Sequence, residues 1–130
     1  MIIDRIDHFV LTVRDIQATC DFYARALGMT AEVFGEGRTA LKFGQQKINL
    51  HLLGHELEPK AMHPTSGGGD FCLITKTPIE DVVRHLEAEG IEIELMPSPR
   101  TGAMGPITSV YFRDPDQNLI EVSVYEEKHQ

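Results

Sequence analysis

Tryptophan is missing from this chain, cysteine occurs twice in 130 residues, and basic side chains are outnumbered 12 to 20 by acidic ones. Each shortage excludes something. Cys20 and Cys72 lie far apart and form no C-x-x-C pair. The chain therefore offers neither a disulfide framework nor a zinc knuckle, and two isolated thiols fit a reducing compartment. A formal charge of −8 leaves no basic stripe to release counterions from a phosphate backbone, which excludes nucleic acid as a partner. No segment approaches the roughly 20 apolar residues of a membrane span, and no charged-then-apolar leader opens the chain. The expectation is a cytoplasmic protein with no membrane partner.

What is present suffices for one domain over residues 1–130, because 42% of the residues are hydrophobic. Ile6 to Val13 alternates, with Phe9, Leu11 and Val13 on one face and Ile6, His8, Val10 and Thr12 on the other. Asp15 is placed to cap a helix, Ile16, Cys20, Tyr23 and Leu27 give it an apolar stripe, and Gly28 ends it. Short strands are predicted over about 31–34, 39–43 and 47–53, separated by Gly35, Gly37 and Gly44. Residues 54–69 read as a connector, with Pro59, Pro64 and three consecutive glycines.

The second half repeats the first. A strand over 70–74 leads to Thr77-Pro78-Ile79-Glu80, which reads as a capping box, and to a helix with Ile79, Val82, Val83 and Leu86 on its buried side. Strands over 91–95, 108–112 and 119–125 follow, the last two joined by the turn cluster Asp114-Pro115-Asp116-Gln117-Asn118. Each half is βαβββ, so the fold class is α+β, with module one at about 4–53 and module two at about 70–125. The polar end, Glu126 to Gln130, reads as a frayed tail.

Four side chains follow this repeat. His8 opens the first strand and Gly28 comes 20 residues later; Asp70 opens the fifth strand and Gly90 comes 20 residues later. His51 lies on the last strand of the first half and Glu121 on the last strand of the second. All four alternate away from the apolar face of their strands, which puts them on the concave side of a curled sheet. A lone strand histidine is more often structural than a ligand, and a lone Glu in an alternating strand is usually solvated. Agreement of all four with an internal repeat is what singles them out. Two imidazoles with one or two carboxylates suit one divalent ion per site, Zn, Ni, Co, Mn or Fe, and such an ion with an open position acts as a Lewis acid. His55, His63, His85 and His129 lack that context and read as surface residues. Arg100 to Gly105 reads as a glycine-containing loop over the cup, with Arg100 available to an anionic substrate group.

The stretch Ile6-Asp7-His8-Phe9-Val10-Leu11-Thr12-Val13-Arg14-Asp15, with Phe22-Tyr23 and Leu27-Gly28-Met29, resembles the opening of the vicinal oxygen chelate superfamily. Arg113-Asp114-Pro115-Asp116 and Asn118-Leu119-Ile120-Glu121 resemble its closing strands. That superfamily holds glyoxalase I, bleomycin-resistance proteins, thiol transferases and extradiol dioxygenases. Lys47-Ile48-Asn49-Leu50-His51 and Glu58-Pro59-Lys60-Ala61 look most like small bacterial lactoylglutathione-lyase-like proteins. The resemblance implies paired βαβββ modules forming an eight-stranded mixed sheet around a cup, a homodimer, and metal ligands at His8, His51, Asp70 and Glu121. It makes Glu121 also the proton-moving carboxylate.

This chain departs from glyoxalase I where His51 replaces a glutamate, Asp70 replaces a histidine, and Thr12 replaces the arginine that holds glutathione. The leading expectation is a metal-dependent lyase or isomerase acting on a small substrate chelated through vicinal oxygens. The alternatives are a metal-free small-molecule binder of the bleomycin-resistance kind and an Fe(II) extradiol-type dioxygenase on His8, His51 and Glu121.

Overall fold

A computed structural model describes residues 1–126 of the chain; the tail expectation from residue 127 onward, His129 included, lies outside the described residues. The chain divides into two compact units, Met1–Gly68 and a second beginning at Gly69. Each contains one βαβββ module.

In the first unit the order is β1 (His8–Val13), α1 (Ile16–Leu27), β2 (Thr30–Phe34), β3 (Arg38–Phe43) and β4 (Gln46–Leu52). The sheet runs β1-β4-β3-β2, with β1 and β4 parallel and the other pairs antiparallel. A parallel pair needs a crossover, and α1 with β2 and β3 supplies it. Asp15 caps α1 as its sequence position predicts, accepting from the Ala18 amide at 2.9 Å, and Gly28 closes the helix in the left-handed region at φ 69°. Leu11, Val13, Leu41, Ile48 and Leu50 are buried on the helix side, with Cys20, Tyr23 and Ala26 of α1. Fully burying side chains of this size contributes about 1.5–3 kcal/mol each.

The second unit repeats the plan with β5 (Asp70–Ile74), α2 (Ile79–Ala88), β6 (Ile93–Gly102), β7 (Gly105–Arg113) and β8 (Leu119–Tyr125), in the order β5-β8-β7-β6. Its core is Leu86 of α2 with Val110, Phe112, Ile120 and Val122. The β7–β8 turn is held by Asp114, whose Oδ1 accepts from the amides of Asp116 at 2.9 Å and Asn118 at 3.0 Å. Asn118 returns Nδ2 to Asp114 Oδ2 at 2.8 Å and accepts from the Gly69 amide at 2.7 Å, tying the start of β5 to the turn.

Two sequence expectations fail here. Thr77 does not build a capping box: α2 begins at Ile79, its N-cap is Pro78, and no side chain caps it. Thr77 lies one residue outside, its amide donating to Thr75 Oγ1 at 3.1 Å; Glu80 and Asp81 in the first turn favour the helix dipole instead. The expected loop from Arg100 to Gly105 is also absent. Residues through Gly102 continue β6, and Gly102 pairs with Gly105 across a hairpin. Pro97 and Pro99 hid this strand in the sequence, but β6 is an edge strand, where prolines and the register shifts between Leu95 and Ser98 are tolerated.

Candidate functional site

Opposite its helix, the first unit presents His8, Val10 and Thr12 of β1 beside Lys47, Asn49 and His51 of β4. His8 is half-exposed, and its Nδ1 lies 2.7 Å from Asp7 Oδ1. An ionised carboxylate only accepts, so Nδ1 donates and the neutral ring carries its lone pair on Nε2. That bond also holds the Asp7 carboxyl below its usual range. A histidine oriented by a carboxylate in this way is suited to ligate through its second nitrogen. His51 is 7% exposed and Asn49 4%. His51 Nε2 and Asn49 Oδ1 are buried and have no hydrogen-bond partner, a condition that costs about 1–3 kcal/mol per group unless a ligand meets it. The connector approaches this end of the face: the Glu56 carboxylate, lowered chiefly by the Gly54 amide that it accepts at 3.0 Å, also feels His51.

In the second unit the corresponding face carries Asp70 and Cys72 of β5, Glu121 and Ser123 of β8, and Ser109 and Tyr111 of β7. Glu121 Oε2 accepts from Ser109 Oγ at 2.6 Å and from Ser123 Oγ at 3.3 Å. Arg100 Nε donates to the Tyr111 hydroxyl at 3.0 Å and the guanidinium lies over the Tyr111 ring. Tyr111 stands directly opposite Glu121. Packing around the Tyr111 hydroxyl raises its pKa, the Arg100 bond works against that, and the Glu121 carboxylate adds to the rise. Burial of the Cys72 sulfur raises that thiol too, its hydrogen bond with Ser123 opposes the rise, and Glu121 reinforces it. Asp70 is exposed at the first position of β5. Arg113 donates to the Gln117 carbonyl at 3.2 Å and to both carboxylate oxygens of Glu94 at 2.9 and 3.1 Å.

The cross-strand register re-pairs the two halves. His8 stands opposite Lys47 and His51 opposite Thr12. The two histidines are therefore four positions apart, on the order of 13 Å of strand. Asp70 stands opposite Leu119, and Glu121 opposite Cys72, two positions on. The residue of the first unit equivalent to Glu121 is the one opposite Val10, which is Asn49. His51 is instead the equivalent of Ser123. The sequence reading, which exchanged His51 with Glu121, is corrected on this point, and Asn49 is a site-facing residue that it missed. No count along the chain reveals this, because the loops of the two halves differ in length. Among the described residues no three His, Cys, Asp or Glu side chains gather where they could hold a metal ion. The separation of His8 from His51 keeps these two imidazoles of the first unit from sharing one ion, although each, like the Glu121 carboxylate of the second unit, is a donor type that suits a borderline divalent ion.

Comparison with known proteins places this geometry in a family. The model of the Glyoxalase/Bleomycin resistance protein/Dioxygenase superfamily matches residues 5–122. The virulence protein STM3117 of Salmonella typhimurium is 58% identical over 125 residues, covering 96% of this chain and 87% of that protein. Its crystal structure superimposes with a TM-score of 0.96, covering 97% of this chain and 100% of that one. The glyoxalase domain-containing protein RDO1 of Mycosarcoma maydis is 52% identical over 122 residues, 94% of this chain and 69% of that protein. An integron cassette protein from the mobile metagenome of V. cholerae has a TM-score of 0.95 at 56% identity, covering 97% of this chain and 98% of that chain. With its two βαβββ units and a family model that spans nearly its whole length, the chain belongs to the Glyoxalase/Bleomycin resistance protein/Dioxygenase superfamily.

Proposed function

We propose that this protein is a metal-dependent lyase or isomerase of the glyoxalase type, acting on a small substrate through two neighbouring oxygens. The observation that carries the reading is the Glu121 carboxylate, pinned at Oε2 by the fully buried Ser109 on a face with a cavity of ≈ 330 Å³. Pinning one oxygen leaves the other to take and return a proton from a fixed position, the arrangement a general base requires. Of the four residues that the sequence singles out, His8 and Glu121 are the donors we assign to a divalent ion, with Asp70 as a further carboxylate; His51, about 13 Å of strand from His8, does not share an ion with it. Such an ion, when bound, would draw electron density from the substrate oxygens and so acidify the C–H bond on the hydroxyl-bearing carbon beside the carbonyl.

The remaining work falls to the chain. Glu121 removes that proton and delivers it to the adjacent carbon. Asn49, with its buried and unpartnered Oδ1, accepts from a substrate hydroxyl. Arg100, tied to Tyr111, meets an anionic substrate group where one is present. With its two free cysteines the protein is assigned to the cytoplasm, and to a homodimer, as the family resemblance implies. No helix among the described residues is long and apolar enough to cross a membrane.

The test is metal content by inductively coupled plasma mass spectrometry on the wild type, His8→Ala and Glu121→Ala. About one ion per chain in the wild type, lost in both variants, is expected. Glu121→Gln is expected to keep the fold and lower turnover by about 10²–10⁴-fold. A protein that takes up no ion after reconstitution overturns this reading in favour of metal-free small-molecule binding. Iron with oxygen uptake on catechols overturns it in favour of ring cleavage.

A further inference from the structure

The cavity in the second unit has two chemically different ends. One presents the Cys72 thiol and the Glu121 carboxylate; the other presents Ile74, Ile107 and the Tyr125 ring. Of the two cysteines, Cys20 is buried and Cys72 is exposed. Cys72 stands directly opposite Glu121 across the β5–β8 pair. A row of hydroxyls also joins them. Cys72 Sγ lies 3.2 Å from Ser123 Oγ, Ser123 Oγ lies 2.6 Å from Ser109 Oγ, and Ser109 Oγ lies 2.6 Å from Glu121 Oε2.

Counting donors orders that row. An ionised carboxylate only accepts, so Ser109 spends its single proton on Glu121. Ser109 then accepts from Ser123, whose one proton is shared between Ser109 Oγ at 2.6 Å and Glu121 Oε2 at 3.3 Å, and Ser123 accepts from the thiol. The S–H of Cys72 is thus connected in one direction to the carboxylate of Glu121, through two serines that are both 0% exposed. Ser98 Oγ, opposite Ser109 on the same face, is buried with no partner. A nucleophile and a base at one end of a cavity, joined by a path for the nucleophile's proton, form the arrangement of an activated nucleophile.

We propose that Cys72 is itself the thiol of the reaction, adding to the aldehyde carbon of a small 2-oxoaldehyde whose apolar group lies against Ile74, Ile107 and Tyr125. This rests on the reading of the site as acting on vicinal oxygens, and it names the substrate class. Attack forms the Sγ–C1 bond, and the aldehyde π electrons move to O1. The thiol proton passes through Ser123 and Ser109 to Glu121, which returns it to O1 to give a hemithioacetal. Glu121 then takes the C1 hydrogen as a proton and delivers it to C2, while the O1 proton moves to O2. C1 is thereby oxidised to a thioester and C2 reduced to an alcohol, with no external oxidant. Water cleaves the Sγ–C1 bond, releasing a 2-hydroxy acid and restoring the thiol. The sum is 2-oxoaldehyde plus water giving 2-hydroxy acid.

The experiment supplies the full chain with methylglyoxal and no added thiol and, separately, with the preformed glutathione hemithioacetal. Lactate is measured, and acid-quenched protein is mapped by mass spectrometry. The expected result is lactate without added thiol and a lactoyl group on the Cys72 peptide that neutral hydroxylamine removes. Cys72→Ala and Cys72→Ser, each checked for fold by circular dichroism, are expected to lose the adduct and to drop on the order of 10³-fold in thiol-free turnover. Thiol-free turnover that survives in folded Cys72→Ala overturns the proposal. Turnover of the glutathione hemithioacetal alone, with no adduct on Cys72, overturns it while leaving the preceding reading intact. Turnover of neither substrate overturns both.

Discussion

Single residues on the sheet faces turned away from the helices carry more unmet hydrogen-bonding capacity than a core tolerates for its own sake. Asn49 Oδ1 and His51 Nε2 are buried with nothing to bond, whereas Glu121, Ser109 and Ser123 satisfy one another. The contrast separates a face that waits for a partner from one that has already positioned its base. A purely structural counterpart is Asp114, 2% exposed, whose carboxylate accepts two amides and the Asn118 side chain. Asp114→Ala leaves those three donors without an acceptor and is expected to lower unfolding stability by about 2–4 kcal/mol. Urea titration checks this, and an unchanged midpoint would show that the turn is held by something else. The candidate residues themselves were legible in the sequence because strand alternation alone shows which side chains avoid the apolar face. Asn49 was missed because an amide beside a histidine carries no signal of its own until burial and partners are known.

Among elements, β6 is the one that the sequence concealed. Its two prolines break the alternation, yet the strand forms because its outer edge needs no ladder and its inner edge pairs with β7. Arg113 reinforces that pair by its two-pronged hold on Glu94. The guanidinium keeps the Glu94 carboxyl below its ordinary value of 4.5. The charged form is thus favoured in the folded state, so the bond's contribution is present above that value and is lost as the pH falls through the lowered one. Thermal unfolding followed from neutral to acid pH is expected to show a shallower decline for Glu94→Gln than for the wild type over that range. Equal slopes would mean that solvent screening erases the bond at this exposed position. The same edge strand brings Arg100 to Tyr111, so a rigid hairpin, rather than a mobile loop, sets where a substrate anion would be met.

At the scale of the whole molecule, the two units repeat a topology without repeating a chemistry. One presents imidazoles, an amide and lysines; the other presents carboxylates, hydroxyls and a thiol. The placement of the two cysteines follows the same division. Cys20 is 7% exposed on the buried side of α1, and burial raises its pKa, with Asp21 adding to the rise. Cys72 is exposed on the face of β5 that it shares with Asp70. Ellman's reagent at neutral pH is therefore expected to titrate about one thiol per native chain and two in denaturant, since the thiolate is the reactive form and access decides the rest. Two thiols titrating at equal rates in the native protein would contradict the burial of Cys20.

The amino-acid sequence by itself determined the elements and their repeat. Alternation at period two, the Asp15 cap, the left-handed Gly28 and the turn cluster around Asp114 are local physics, decided within a few residues of the chain. It also determined which side chains the sheets turn away from their helices. Tertiary structure alone decided which of them are equivalent and which are coupled. Register is set by pairing between residues far apart in the chain, His8 with Lys47 and Asp70 with Leu119, and loops of unequal length remove any fixed count from one half to the other. That pairing set Asn49 rather than His51 in the place of Glu121. It also aligned Cys72, Ser123, Ser109 and Glu121 into a single row, because hydrogen bonds across three strands exist only once those strands lie side by side.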